Sequence, residues 1–139
     1  MIDKRIIDFI KAHHLLTLAT TKDNIPYCAN CFYVYDEKKK WLIFSSESKT
    51  KHAQDYIANP NVAGSIALET KEVSKIQGVQ LLGTILGLKE EELKITKKQY
   101  LKAFPYTRLM KLHLWAMQLT FIKMTHNQLG FGKKLVWKK

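Results

Sequence analysis

WLIFSSESKTKHAQDYIANPNVAGSIAL, residues 41–68, reads as a strand, a polar turn, a short helix and a second strand. The turn gathers hydroxyls and cations within eight residues: Ser45, Ser46, Ser48, Lys49, Thr50, Lys51 and His52. A helix that begins on such a turn presents free backbone N–H groups and the positive end of its dipole. Side-chain donors at the same place complete the chemistry that holds a phosphate. A plainer reading stays open beside it, in which Ser48 or Thr50 caps the helix and the lysines are simply solvated. The helix is expected at about 49–58, because Asn59-Pro60 is a stop signal. VAGSIALE (62–69) then forms a strand in which Gly64 permits a close approach of backbones.

Reading outward, residues 2–12 place Ile2, Ile6, Ile7, Phe9 and Ile10 between charges, the pattern of a short amphipathic helix. HLLTLAT (14–20) is a strand, KDNIP (22–26) a turn, and residues 27–35 a second strand. DEKKK (36–40) links it to the strand beginning at Trp41. IQGVQLLGTILGL (76–88) is a long strand whose Gly78, Gly83 and Gly87 suggest bulges or bends. KEEELKITKKQYLKAF (89–104) is helical in pattern and is broken at Phe104-Pro105, with one more short helix expected over PYTRLMKLH. WAMQLTFIKMT (115–125) alternates as a sixth strand, and FGKKLVW (131–137) closes the chain as a seventh. Six or seven strands with short helices between them imply a mostly β, α+β fold: a single-domain antiparallel barrel that is split or capped.

With 139 residues, 46% of them hydrophobic and 25% charged, the chain suits one domain of ordinary size. No apolar run approaches the roughly 20 residues that cross a bilayer. Charges interrupt MIDKRIIDFIKAHH, so it lacks a signal-peptide core, and a cytoplasmic location is expected. The net charge of +11 is uneven: residues 1–70 contribute +1 and residues 71–139 contribute +10. That surplus favours anionic ligands. Only Arg5 and Arg108 are arginines, however, and surfaces that read bases lean on the arginine fork, which argues against nucleic acid. Cys28 and Cys31 form a CxxC on strand-like flanks. Strand positions three apart face opposite sides, so a packing role is expected in place of a redox couple or a zinc site. His13, His14 and His126 are imidazoles of a kind that ligates metal or haem.

In order, these motifs resemble the flavin-binding split barrels related to pyridoxamine 5′-phosphate oxidase. The resemblance runs from His14 to Trp137 and includes HLLTLAT, Pro26, the 41–66 segment and the Gly83-Thr84 strand. Within that superfamily CANCFYVY and the tail KMTHNQLGFGKKLVW look most like the YhbP-like group. The resemblance implies a homodimer with FMN in clefts at the dimer interface, and the apolar strands at 76–88 and 115–124 suit a buried interface. It places the isoalloxazine along Tyr27, Cys28, Ala29, Asn30, Cys31 and Phe32. It places the phosphate on the turn, at Ser45, Ser46, Lys49, Thr50, Lys51 and His52, where His52 stands in the position of a family lysine. Gln77 answers to a glutamine that reaches the flavin. Trp137 and Lys133 or Lys134 are expected near the cleft, with Tyr33 as another aromatic that could cover the ring. The implied activity is that of an FMN-dependent oxidoreductase. Two alternatives remain: a non-enzymatic flavin or haem module (related split barrels include haem-degrading enzymes), and a cofactor-less barrel that binds an anionic partner.

Overall fold

Seven antiparallel strands are joined in the order β3-β2-β1-β4-β5-β6-β7, and a further β3–β6 pairing closes the first six into a ring. The computed structural model describes all 139 residues. The strands are β1 (Leu15–Lys22), β2 (Ile25–Asp36), β3 (Trp41–Ser45), β4 (Asn61–Ala67), β5 (Gln77–Gly87), β6 (Leu114–His126) and β7 (Lys134–Lys138). The helices are α1 (Lys4–Ala12), α2 (Lys51–Ala58) and α3 (Glu90–Ala103). This is the mostly β barrel with short helices that the strand pattern predicts. Element ends move by one to four residues, the largest shift being at the short helix expected over 105–113, which is a 3₁₀ turn at Pro105–Leu109. The larger change is at KDNIP. Asp23 and Asn24 alone make the turn, with φ of 52° and 62°, and Lys22 pairs with Ile25. That is the two-residue hairpin whose left-handed residues match strand twist. Pro26 therefore lies inside β2, opposite Thr21, and not before it.

Inside the ring, alternate residues of every strand meet in one core. Leu16 and Leu18 of β1 face Phe44 of β3, Ile66 of β4, Leu81 of β5, and Met117 and Ile122 of β6. The helix α1 adds Ile6, Phe9 and Ile10, and α2 adds Ala53 and Tyr56. The apolar run WLIF is unbroken because β3 is buried on both faces. Leu42 and Phe44 point into the ring, while Trp41 and Ile43 pack with Tyr100 of α3 and Leu114 in a second cluster. Gly64 is required by close approach, since a Cβ there would sit 2.8 Å from Leu16 Cδ1 and 3.2 Å from the Thr17 carbonyl.

The long strand β6 serves three neighbours. Residues 114–118 pair with β3, residues 121–125 pair with β7, and β5 runs alongside both stretches. The exchange of partners happens at a bulge: Leu82 pairs with Phe121 and Gly83 with Leu119, leaving Thr120 unpaired. Of the three glycines expected to bend β5, only Gly83 does so. A Cβ on Gly83 would stand 2.5 Å from the Gln118 carbonyl oxygen and 3.0 Å from Met117 Cγ. Gly83→Ala should therefore cost roughly 1–3 kcal/mol through overpacking. The readout is a lower urea midpoint at unchanged slope. Gly87→Ala is the control, because its added carbon meets nothing within 4 Å.

Candidate functional site

The turn after β3 folds back on β6 before α2 begins. The Ser46 N–H donates to the His113 carbonyl (2.9 Å), and the His113 N–H donates to Ser45 Oγ (3.1 Å). The indole N–H of Trp115 donates to the Ser46 carbonyl at 2.9 Å. Thr50, not Ser48, is the helix cap: its hydroxyl accepts from Ala53 N–H at 3.3 Å and donates to the Glu47 carbonyl at 2.8 Å. The backbone N–H groups of Lys51 and His52 are left without an intrachain acceptor, as the first turn of a helix requires.

Three expected phosphate donors are already engaged. Ser46 Oγ lies 2.8 Å from His52 Nε2. Lys51 Nζ lies 2.6 Å from Asp55 Oδ1 and 5.2 Å from the centre of the Tyr27 ring. Thr50 spends its hydroxyl on the cap. Asp55 is buried, and Thr20 Oγ1 donates to its second oxygen at 2.9 Å. The Lys51 ammonium, with Thr20 behind it, holds that carboxyl below the usual carboxylate range. Burial lowers the His52 imidazole from its ordinary 6.5, against the pull of Asp55, so His52 is neutral at pH 7. The residue standing for a family lysine is thus no cation. The Tyr56 hydroxyl is buried beside Ser46 and Cys31 and makes no well-formed hydrogen bond.

On the outer side of the turn Lys49 makes an exposed ion pair with Glu47 at 3.4 Å, and Lys111 has no ion-pair partner. Lys49 and Lys111 line a hollow of about 270 Å³ with Ser48, Glu47 and His113. Sequence reading missed Lys111 and His113 because nothing local marks a loop 60 residues away as a neighbour of the turn. It also missed Asp55, although the i, i+4 spacing from Lys51 carries that signal.

Along β2 the expected flavin residues alternate as strand geometry demands. Cys28, Asn30 and Phe32 face outward, while Cys31 is buried with its Sγ 3.8 Å from Ser46 Oγ. Ala29 is half-buried and Tyr27 lies under Lys51. Tyr33 is a core residue whose hydroxyl donates to the Ile10 carbonyl at 2.6 Å. The remaining expected residues do not join the turn within one protomer. Gln77 bonds Gln128, and Lys134 bonds Thr125. Trp137 is buried opposite Ile122, eight positions along β6 from the Ser45–Leu114 pair, or about 25 Å at strand rise. His126 pairs with Gln77 at that same far end, and no group of three His, Cys, Asp or Glu residues has the spacing to hold a metal ion.

No family model matches the chain. A UPF0306 protein of Yersinia enterocolitica is 40% identical over 134 residues, covering 96% of this chain and 91% of its own. A second, from Photorhabdus laumondii, is 37% identical over 131 residues, covering 94% and 92%. The chain belongs to the UPF0306 family. This is the YhbP-like group that the tail and the CANCFYVY segment resemble. Among solved structures, a heme binding protein from Mycobacterium smegmatis superposes with TM-score 0.74 at 16% identity, over 90% of this chain. This chain spans about half of that one, at 52%. An FAD-binding protein from Mesorhizobium loti gives TM-score 0.73 at 15% identity, covering 89% and 94%. A Listeria innocua protein named for pyridoxamine 5′-phosphate oxidase gives 0.72 at 12%, covering 87% and 95%. These likenesses show the fold alone, a split barrel. No helix is long and apolar enough to cross a membrane.

Two outcomes follow from the turn. Between pH 7 and 5 the unfolded chain takes up a proton that native His52 resists, so stability falls as pH drops through this window. The thermal midpoint of wild type should fall across it more steeply than that of His52→Gln. A thiol reagent should modify Cys28 rapidly and Cys31 only on unfolding, since Cys28 is exposed while burial pushes the Cys31 thiol up. Equal labelling rates for the two would contradict the placement of β2.

Proposed function

We propose that this UPF0306 protein binds FMN as a homodimer, with the phosphate at the N-terminus of α2. The observation that carries the reading is the pair of free N–H groups on Lys51 and His52, set beside Lys49 and Lys111. A dianionic phosphate accepts from such donors and is favoured by the helix dipole. Ser46 and Thr50 position the turn, and Lys51 serves mainly to neutralise buried Asp55. Lys111, which has no ion-pair partner, and Lys49, whose pairing with Glu47 is solvent-exposed, therefore take the larger share of phosphate binding. The isoalloxazine would lie along β2 from Tyr27 to Phe32. FMN, when bound, supplies hydride transfer, and the chain's part is to hold and orient it.

The dimer half of the reading rests on the outer face of the sheet. Leu15, Phe32, Leu82 and Val136 are 45–61% exposed there. Cross-strand pairing puts Leu82 in a row with Ala63, Ala19 and Cys28, and Leu15 beside Phe32, while Val136 stands in a polar row with Lys123, Gln80, Ser65, Thr17 and Asn30. Apolar side chains exposed in these rows suit an interface with a polar stripe across it. An obligate dimer would bury more than about 2,000 Å². Gln77, Lys134 and Lys133 would reach a flavin only across such an interface, whereas Trp137 is committed to its own core.

The test is a titration of the purified protein with FMN and with riboflavin, which lacks the phosphate. FMN should bind as one per protomer and roughly ten-fold or more tighter, the worth of a charge-assisted phosphate contact. Lys49→Ala combined with Lys111→Ala should erase that preference, and Lys51→Ala should lessen it. A protein that is monomeric at micromolar concentration, or indifferent to FMN, removes the reading. Reduction of the bound flavin by NAD(P)H decides between an oxidoreductase and a binding module.

A further inference from the structure

After Glu92 the chain carries eleven Lys or Arg residues and no Asp or Glu. The first part of this stretch is most of α3 and the 3₁₀ turn Pro105–Leu109, which stands out from the barrel as a fixed knuckle. Phe104 anchors its start, with its ring centre 5.6 Å from that of Phe32 and 5.0 Å from that of Tyr100. Thr107 is buried beneath the knuckle, and its N–H and hydroxyl both donate to the Phe104 carbonyl, at 3.0 and 2.7 Å. The Met110 N–H then closes the turn on the Thr107 carbonyl at 2.9 Å.

This bonding holds large apolar side chains out in solvent. Leu109 is 97% exposed, Tyr106 63% and Met110 60%. A rigid turn that leaves three such side chains uncovered forgoes the stabilisation that burying them would give, and apolar groups clustered in this way mark a surface that meets something. Cations surround them. Arg108 and Lys111 are exposed within and beside the turn, and Lys98 and Lys102 are exposed on the last two turns of α3. None of these four takes part in an ion pair. The acids of α3, Glu90, Glu91 and Glu92, stand at its other end, about 18 Å along the helix from Phe104. Glu47, which lines the hollow beside Lys111, is already paired with Lys49 at 3.4 Å.

We infer that this knuckle docks the protein, reversibly, on an anionic bilayer surface. Leu109, Met110 and Tyr106 enter the boundary between headgroups and acyl chains, while Arg108, Lys102 and Lys98 stay at the level of the headgroups. Each cation there adds an attraction to anionic lipid that salt screens. The unpaired cations require an anionic partner, and the projecting tip selects lipid among anionic partners. A fluid bilayer closes around a protruding side chain without a matching groove. Scattered lysines suit a spread surface charge, whereas recognition of bases or carboxylates draws on the arginine fork, and the knuckle has one arginine. Docking of this kind needs no membrane-spanning helix, and it makes no use of the flavin reading.

The test is flotation of the full chain with vesicles of phosphatidylcholine alone and of phosphatidylcholine mixed with phosphatidylserine at about one part in three. Binding to the mixed vesicles should be roughly ten-fold or more tighter than to the neutral ones, and should weaken as salt is raised. Leu109→Ser combined with Met110→Ser should weaken it by roughly ten-fold or more, and so should Lys102→Gln combined with Arg108→Gln. All four residues are exposed, so an unchanged thermal midpoint is expected in both variants and shows that the fold is kept. Absence of flotation with the mixed vesicles at low salt overturns the inference. Equal binding by wild type and the double-serine variant also overturns it, since net charge alone would then account for the attraction. So does a dimer that the double-serine variant turns into a monomer, which would place a second copy on the knuckle. A knuckle-dependent complex with polyglutamate or duplex DNA that is tighter than the one with vesicles overturns it as well.

Discussion

Thr120 carries the constraint on which the architecture depends. At that residue β6 stops being a neighbour of β3 and becomes a neighbour of β7. The main chain records the handover in two bonds: Leu119 N–H donates to the Lys40 carbonyl at 2.9 Å, and Lys139 N–H donates to the Thr120 carbonyl at 3.0 Å. One extra residue on β6 sharpens the local twist, which lets one strand close the ring with its first half and extend the sheet with its second. Gly83 makes this possible by letting β5 approach Gln118 more closely than any side chain would allow. Without the bulge, β7 and β3 would compete for the same edge.

The turn before α2 shows a second kind of constraint, in which a polar cluster satisfies itself first. Ser46 is held by His52, Lys51 by Asp55, and Thr50 by the helix it caps. Each of these bonds removes a donor from any incoming ligand while fixing the shape that a ligand would meet. Buried networks of this type specify geometry more than they add stability. What the turn still offers is backbone N–H and the lysines at its outer edge.

Much of the fold was legible in the sequence because its signals are local. Strand alternation, the Asn59-Pro60 stop and the Gly64 contact depend on near neighbours or on one small residue. The CxxC was legible only in part: period two puts the two cysteines on opposite faces as expected, but Cys28 is exposed and only Cys31 has the packing role expected of both. What could not be read was placement between distant segments. Lys111 and His113 come to the turn only because β6 folds back on β3. Trp137 is packed in the core opposite Ile122, a pairing that chain order does not announce. Gly78 and Gly87 look like Gly83 in sequence, and only the partner strand distinguishes them.

The ring is welded unevenly. β1 and β2 pair over eight residues, β5 and β6 over eleven, but β1 and β4 only over Thr17–Ala19 and Ala63–Ser65. A closed sheet is as cooperative as its narrowest seam, and local opening begins where the fewest ladder bonds must break. The barrel is therefore better pictured as two leaves, β3-β2-β1 and β4-β5-β6, hinged along β3–β6 and latched by three rungs. Asp55, reaching from α2 to Thr20 just past the last rung, works as a clasp on that latch. Whatever is bound by the N-terminus of α2 would be felt, through one helical turn, by the part of the barrel most ready to breathe.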